Sequence, residues 1–350
     1  MNRAAHDQER ARWVPLRDKL DVLQPQAFFI ESEHSHHGTA TSIATILLTN
    51  RECPWRCIYC DLWKSTTTKT VPIGAIPAQI DLALAQLRRD ERKESNGGSA
   101  RIRQTPRTDI KQLKLYNAGS FFDRKAVPPE DFAAIAERVC GFERVIVESH
   151  PALIGSAAIV FHELLVRKAG EQKRCPAPEL EVAMGLEVAD DLILARMNKR
   201  MTLAMFERAA AFLLNNGIAL RAFVIVKPPF VKTDVEALDL AQRSIDFAFD
   251  CGASVVSLIP ARFGPVALDD LARTAEFAPP GFDAVEEALD YGVAQQRGRV
   301  FVDLWDIEKL GGCCACTPDR VARLREVNLQ QSRPPRIVCA RAGTTCLSGV

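Results

Sequence analysis

Short apolar runs rich in β-branched residues alternate along the chain with longer stretches whose apolar positions recur every three or four residues. The short runs predict six strands, at residues 43–48, 113–116, 144–148, 180–184, 220–226 and 254–259. The amphipathic stretches predict the helices between them, at residues 76–89, 130–139, 152–167, 203–215 and 235–250. Strands separated by helices of this length indicate βαβ units and a parallel sheet, so the pattern predicts an α/β fold.

Six such units, joined by right-handed crossovers, should curl into a barrel or part of one, and a doubly wound open sheet is the alternative. We expect three regions: an N-terminal extension at 1–40, the barrel at 41–300, and a Cys-containing C-terminal extension at 301–350. Residues 90–108 are polar, basic and Gly/Ser-containing, which predicts a flexible insertion. Its arginines and lysines could meet a phosphate backbone, although charge runs more often form solvated surface.

The composition limits the compartment and the partners. The chain of 350 residues has 47% hydrophobic residues, enough for a sizeable core, and its formal charge of +1 neither favours nor excludes polyanionic partners. The N-terminal segment is charged and lacks the apolar core of a signal peptide, and no apolar run approaches the ~18 residues that span a bilayer. We therefore expect a cytoplasmic protein with no membrane partner, whose clustered cysteines bind metal rather than pair.

Three cysteines, Cys53, Cys57 and Cys60, form a C-x3-C-x2-C motif directly after the first predicted strand. Iron–sulfur cubanes are normally held by four Cys thiolates, so a loop that supplies three leaves one iron with an open coordination position. An open position separates a reacting metal site from a closed structural one. Half of a zinc site and buried thiols that merely pack are the alternatives, although no second C-x2-C pair lies nearby.

Chemically active residue types follow the other predicted strands, where the active sites of α/β barrels lie. Gly119 and Ser120 follow the second strand, where a small residue lets backbone groups approach a ligand closely. Glu148 and His150 end the third strand, and a carboxylate can accept two hydrogen bonds, as from a ribose diol or an ammonium group. Lys227 ends the fifth strand and suits an anionic substrate group or acid–base work. We take Lys227, Glu148 and His150 as candidate catalytic residues, with ordinary turn and rim positions as the alternatives.

A second group of cysteines lies near the C-terminus. Cys314, Cys316 and Cys339, with Cys313 or Cys346 as a possible fourth ligand, predict a closed metal site. Zn²⁺ is favoured there, and an auxiliary Fe–S cluster is the alternative. A surface helix is predicted over 319–328, between these cysteines.

Three histidines, His34, His36 and His37, lie just before the first predicted strand. Their segment, 31–38, predicts a polar loop over the mouth of the barrel, and a metal site is the alternative.

The motifs at the predicted strand ends, taken together, resemble those of the radical S-adenosylmethionine (radical SAM) superfamily. They are Asn-Arg-Glu-Cys at 50–53, Gly-Ser-Phe at 119–121, Gly-Leu-Glu at 185–187, Asn-Lys at 198–199, Lys-Pro-Pro-Phe at 227–230 and Leu-Trp-Asp at 304–306. Within the superfamily the chain is most similar to the family of the archaeosine synthase radical SAM subunit, and also to the Elongator catalytic subunit and the methylthiotransferases. The resemblance covers roughly residues 25–340.

The resemblance implies a partial (β/α)6 barrel of TIM type, with the cysteine loop after its first strand. It implies a [4Fe-4S] cluster on Cys53, Cys57 and Cys60, whose free iron binds the amino and carboxylate groups of S-adenosylmethionine. An electron from a flavodoxin- or ferredoxin-like donor then starts cleavage to a 5′-deoxyadenosyl radical, which abstracts hydrogen from the substrate. The implied cofactor-binding residues are Tyr59, Gly119, Ser120, Glu187, Lys199 or Arg200, and Pro260.

The implied substrate is a small molecule or a group carried by transfer RNA. Family members of known activity cleave a C–N bond in a lysine adduct of a deazaguanine on transfer RNA, and for this chain both lyase and transferase reactions remain open. Two other classes of protein are alternatives to a radical SAM enzyme. A zinc-stabilised RNA-binding protein would contain zinc alone and bind RNA with steep salt dependence, and an Fe–S electron-transfer protein would not bind S-adenosylmethionine.

Overall fold

Eight strands in the described part of the chain form one sheet whose spatial order follows the chain order. The computed structural model describes residues 20–96, 110–310 and 315–338. The strands are β1 (Ala27–His34), β2 (Ala40–Leu48), β3 (Ile110–Asn117), β4 (Arg144–Ser149), β5 (Glu179–Glu187), β6 (Ala219–Val226), β7 (Val255–Pro260) and β8 (Arg299–Val302). β1 is antiparallel to β2, and every later strand is parallel to the strand before it.

Helices connect the parallel strands, as expected for βαβ units. Those described are α1 (Ala75–Asn96), α2 (Phe132–Val139), α3 (Ser156–Glu171), α4 (Asp191–Arg196), α5 (Leu203–Asn215), α6 (Asp234–Asp250), α7 (Val266–Arg273), α8 (Phe282–Ala294) and α9 (Thr317–Gln330). Local signals explain several helix starts: a capping box of Thr233 and Glu236 opens α6, and the Thr202 side chain accepts from the third residue of α5. Among the described helices, none is long and apolar enough to cross a membrane.

Contacts between distant strands show that the sheet is curled. Arg221 on β6 donates from Nη2 to Glu33 Oε2 on β1 over 2.9 Å, whereas five strand spacings would separate these strands by about 24 Å in a flat sheet. Arg299 on β8 donates to the carbonyl oxygen of His34 on β1 over 3.2 Å. The predicted partial barrel is therefore confirmed, with β1 and β8 as its two edges.

The C-terminal helix α9 covers the gap between these two edges. The side-chain amides of Asn328 and Gln331 each exchange two hydrogen bonds with the backbone of β8, at Val302 and Val300 respectively, over 2.8–2.9 Å. His34 Nδ1, at the end of β1, lies 2.9 Å from the carbonyl oxygen of Leu329. These bonds satisfy backbone groups of an edge strand that would otherwise remain available to another chain.

The two faces of the sheet differ in polarity. On β3, Leu113 and Leu115 belong to the apolar core, whereas Lys114 and Tyr116 line an internal cavity. Because successive side chains of a strand point to opposite faces, the apolar core lies between sheet and helices, and the polar set faces the barrel interior.

Strands β2 to β7 confirm the six predicted strands, and the structure adds an edge strand on each side. The prediction of a polar loop at 31–38 is wrong for Glu31 to His34, because these residues belong to β1. Helix α1 extends to Asn96, so 90–96 of the predicted insertion is helical, and 97–108 lies outside the described residues. The division into three regions stays a prediction.

Candidate functional site

A cavity of about 1630 Å³ runs from the barrel interior to the carboxyl ends of the strands. Most of the side chains predicted from the sequence as site residues line it: Cys53, Cys57, Tyr59, Cys60, Gly119, Ser120, Glu148, His150, Glu187 and Lys199. They come from the ends of β2, β3, β4 and β5 and from the turn after α4. Parallel strands bring their carboxyl ends to one edge, which explains why residues spread over about 150 positions converge.

The three cysteines lie in the loop after β2, which is tied to the turn after α4. Ile58 donates from its backbone to the Met197 carbonyl over 3.1 Å, and Asn198 Nδ2 donates to the Arg56 carbonyl over 2.7 Å. All three thiols line the large cavity and also a smaller pocket on the other side of the loop. These two hydrogen bonds hold the loop so that its thiols line the cavity.

The thiols carry the donor chemistry of an iron–sulfur site. Burial raises the pKa of Cys53 to about 12, and it also raises the pKa values of Cys57 and Cys60, so a metal would have to displace their protons on binding. Across the described ranges, no three Cys, His, Asp or Glu side chains are gathered in a group that could hold a metal ion. A single ion needs its ligands in one group, whereas each thiolate of a cubane binds a different iron. The donor set fits the cluster, because all three thiols share one loop and one cavity.

His150 supports the cysteine loop rather than facing the cavity with a free nitrogen. Its ring stacks on Trp55 with centroids 3.9 Å apart and an interplanar angle of 8°. Its Nδ1 accepts from Ala152 N over 3.1 Å, so Nε2 carries the proton and donates to the Lys199 carbonyl over 3.1 Å. Burial lowers the pKa of His150 to about 3, which keeps the ring neutral. The contacts therefore indicate a positioning residue where the sequence predicted a catalytic one.

Glu187 and Lys199 form a buried ion pair at the cavity wall. Burial alone would lower the pKa of Lys199, but attraction to the Glu187 carboxylate raises it above its ordinary value. A bulge between Gly185 and Glu187 and a positive φ of 66° at Glu187 turn its carboxylate into the cavity. A Cβ atom at Gly185 would overlap Glu187 Oε1, so a larger residue there would make the ends of the paired side chains shift.

Glu148 and Asn117 lie next to each other at the ends of β4 and β3. Glu148 Oε1 accepts from the backbone N–H of Asn117 over 2.9 Å, and burial raises the pKa of Glu148 to about 8. The Asn117 side chain is 5% exposed, and neither of its polar atoms has a partner among the described residues. The sequence offers no reason to single out Trp55 or Asn117. Trp55 stands out by its stacking on His150, and Asn117 by its buried polar atoms without a partner among the described residues, and only the fold reveals either feature.

Three predicted site residues do not line the cavity. Lys227 has a positive φ of 56°, and its Nζ donates to Asp234 Oδ1 over 2.7 Å and to the Pro279 carbonyl over 3.3 Å, so it ties the start of α6 to a neighbouring loop. Arg200 is exposed and bonds to Asn198, which leaves Lys199 as the base at the cavity. Pro260 is buried outside the lining, where Ile259 stands instead.

The predicted C-terminal metal site stays a prediction. Cys316 is buried at the start of α9, whereas Cys313, Cys314, Cys339 and Cys346 lie outside the described residues.

Replacing His150 by phenylalanine should lower the free energy of unfolding by about 1–3 kcal/mol, because the Ala152 N–H and the Lys199 carbonyl lose a buried partner while the stacking on Trp55 is kept. Urea denaturation of the apoprotein measures this change. His162→Phe on α3 is the matched control and should change stability much less. Equal stabilities of the two variants would contradict the positioning role.

The contribution of Glu148 to the free energy of unfolding should fall as pH rises from about 4.5 to about 8. The reason is that burial raises the pKa of Glu148 in the folded state above its ordinary value. In this window the unfolded chain loses the carboxyl proton and the folded chain keeps it. Glu148→Gln should remove this contribution, so the variant should gain stability relative to the wild type as pH rises through the window. Denaturation curves at both ends of the window test this, and parallel pH profiles would contradict it.

No protein-family model matches the chain. Among curated proteins, the chain is 22% identical to the uncharacterized protein MJ0550 of Methanocaldococcus jannaschii over 262 residues. The matched region covers 72% of this chain and 64% of that protein. It is 28% identical over 137 residues to archaeosine synthase subunit beta of Thermococcus kodakarensis, which covers 38% of this chain and 39% of that protein. The chain thus spans less than two thirds of the length of either relative.

Among solved structures, the chain resembles the radical S-adenosylmethionine methyltransferase TsrM from Kitasatospora setae. The TM-score is 0.44 at 14% identity, over 67% of this chain and 40% of that one. The chain is similar to radical SAM proteins, as its motifs predict. Over 38% of its length the chain is also similar to archaeosine synthase subunit beta.

Proposed function

We propose that the chain is a radical SAM enzyme, with a [4Fe-4S] cluster on Cys53, Cys57 and Cys60 and S-adenosylmethionine beside it in the cavity. One observation carries the proposal: three thiols of one loop line the same cavity as the polar residues at the ends of β3, β4 and β5. When bound, the cluster and cofactor supply a 5′-deoxyadenosyl radical that abstracts hydrogen from the substrate.

The residues of the chain bind and orient the cofactor in this proposal. Gly119 brings its backbone close to the loop, since a Cβ atom there would lie 3.0 Å from the Arg51 carbonyl oxygen. The Ser120 hydroxyl accepts from His150 N over 2.8 Å and can still donate to a ligand. The Glu187–Lys199 pair offers a carboxylate to a ribose diol or ammonium group and an ammonium to a carboxylate. Tyr59 lies within the cysteine loop next to the Cys57 thiol, and its side chain packs against the apolar core.

The similarity to archaeosine synthase subunit beta supports a substrate carried by transfer RNA, and a small molecule is the other candidate. The same similarity favours a lyase reaction at a C–N bond, and a transferase reaction is the alternative. We further propose a cytoplasmic protein that receives electrons from a flavodoxin- or ferredoxin-like donor. The C-terminal cysteines would hold Zn²⁺ or an auxiliary Fe–S cluster.

Anaerobic reconstitution followed by dithionite and S-adenosylmethionine tests the proposal. We expect iron–sulfur absorption and the formation of 5′-deoxyadenosine, both lost in the variant with all three cysteines replaced by alanine. A cluster without cofactor binding would instead indicate an electron-transfer protein. Zinc as the sole metal, with RNA affinity that falls steeply with salt, would indicate a nucleic-acid-binding protein.

A further inference from the structure

The cavity is larger than one cofactor requires. Sites for ligands of drug-like size usually measure roughly 300–1,000 Å³, and this cavity measures about 1630 Å³. Its outer part holds the cysteine loop and the strand-end residues described above. The inner part, within the barrel, remains for a second ligand.

One buried hydroxyl in the inner part has no partner. Tyr116 lines the cavity, its ring lies perpendicular to that of Phe223 with centroids 6.0 Å apart, and its hydroxyl has no hydrogen bond to any described residue. A buried hydroxyl without a partner costs free energy, so native proteins usually satisfy such a group with a ligand or water. Tyr116 is therefore a candidate ligand contact.

Four charged residues line the same cavity, and we call them the inner charged cluster: Glu31, Glu33, Lys114 and Arg221. Lys114 Nζ lies 2.8 Å from Glu31 Oε1, also contacts Glu33, and lies 5.9 Å from the centre of the Tyr116 ring. Arg221 pairs with Glu33 over 2.9 Å and with Glu181, on β5, over 2.6 Å. The cations of the cluster are thus fully engaged by carboxylates.

Glu31 differs from the other members of the inner charged cluster. Its side chain is 37% exposed, against 11% for Glu33, 5% for Lys114 and 2% for Arg221. Both hydrogen bonds recorded for Glu31, from Lys114 Nζ and Thr45 Oγ1, go to Oε1. Oε2 therefore has no hydrogen-bond partner among the described residues, and it can accept from a ligand.

We propose that the Glu31 carboxylate and the Tyr116 hydroxyl form a substrate subsite for a primary ammonium group, so that the substrate is an amine. An accessible carboxylate is the natural partner of a cationic donor, the hydroxyl accepts a second bond, and the rings of Tyr116 and Phe223 suit a nearby cation. Glu33 offsets the charge of Lys114 at this place. The assignment to substrate rests on the proposed radical SAM function, whereas the subsite itself rests on the contacts above.

Binding of two simple probes tests the subsite. n-Pentylamine and pentan-1-ol have the same length and differ in charge. Their affinities can be compared by calorimetry on protein taken through the reconstitution treatment, with S-adenosylmethionine added, whether or not a cluster has formed. We expect the amine to bind about tenfold more tightly or better than the alcohol, as for hydrogen bonds to a charged group. Glu31→Gln should remove this preference, and Tyr116→Phe should weaken amine binding about twofold to tenfold.

Tyr291→Phe is the matched control, because its hydroxyl bonds to Asp246 over 2.8 Å and it does not line the cavity. This variant should bind both probes as the wild type does. Equal affinities of the wild type for the two probes, or an undiminished preference in Glu31→Gln, would overturn the subsite. If Glu31→Gln fails to fold, the wild-type comparison and Tyr116→Phe still decide.

The two proposals fail in different ways. A protein that forms the cluster and cleaves S-adenosylmethionine but shows no amine preference loses only the subsite. A protein that prefers the amine but forms no cluster loses only the radical SAM function.

Discussion

Replacing any one of Cys53, Cys57 and Cys60 by alanine should reduce iron bound after reconstitution to background, and with it the formation of 5′-deoxyadenosine. A cubane held by three thiolates already has one open iron, so the loss of another ligand leaves two irons without protein support. The three thiols lie in one loop and line one cavity, and the same loop contains no fourth cysteine to replace the lost one.

Cys251→Ala is the matched control for these variants, because this half-buried cysteine follows α6 and does not line the cavity. It should bind as much iron as the wild type. Iron and labile sulfide assays measure the effect, and visible absorption of the reconstituted protein follows the same loss. A single variant that retained full iron content and activity would contradict the assignment of that cysteine as a ligand.

Arg221→Met should lower the free energy of unfolding by roughly 3 kcal/mol, at the lower end for breaking a buried ion pair. The buried carboxylates of Glu33 and Glu181 lose the cation that they share, and they keep Lys114 and Arg144, respectively. Arg221 is the cation that joins β6 to β1 and to β5 inside the barrel, and it is only 2% exposed. Urea denaturation near neutral pH measures the loss, since both carboxylates are then charged.

The exposed pair of Arg243 and Asp239 on α6 provides the control, with Nε and Oδ2 2.9 Å apart. Arg243→Met should change stability by less than about 1 kcal/mol, because solvent screens an exposed pair. A loss of similar size in both variants would show that the buried network does not hold the barrel together. A loss in Arg221→Met that becomes smaller at low pH would support the role of Arg221, because protonation neutralises the two carboxylates that have lost a cation.

The strands that the sequence predicted each contain a short, mainly apolar run. The run is nearly continuous in β2, β4, β6 and β7, as in buried parallel strands, whereas polar residues interrupt β3 and β5. β1 was missed because Glu31 and Glu33 face the barrel interior, where Lys114 and Arg221, about 80 and 190 positions away, neutralise them. No local pattern contains that information. β8 was missed because it has only four residues.

The site could be predicted as far as it depends on strand ends. The cysteine motif, Gly119, Ser120, Glu148, Glu187 and Lys199 all line the cavity because parallel strands converge at their carboxyl ends. Lys227 also ends a strand, but its backbone conformation and the Asp234 carboxylate turn it away from the cavity. The sequence could not indicate the supporting contacts of His150, because its two nitrogen partners, in the backbone of Ala152 and Lys199, are visible only in the fold.

The EPR spectrum of the reduced, reconstituted protein, with and without S-adenosylmethionine, tests most directly whether the three cysteines hold a cluster with one open iron. We expect the signal of a reduced [4Fe-4S] cluster that changes when the cofactor is added, because Cys53, Cys57 and Cys60 leave one iron free to bind it. A cluster signal that the cofactor leaves unchanged, or a protein that takes up zinc and no iron, would contradict it.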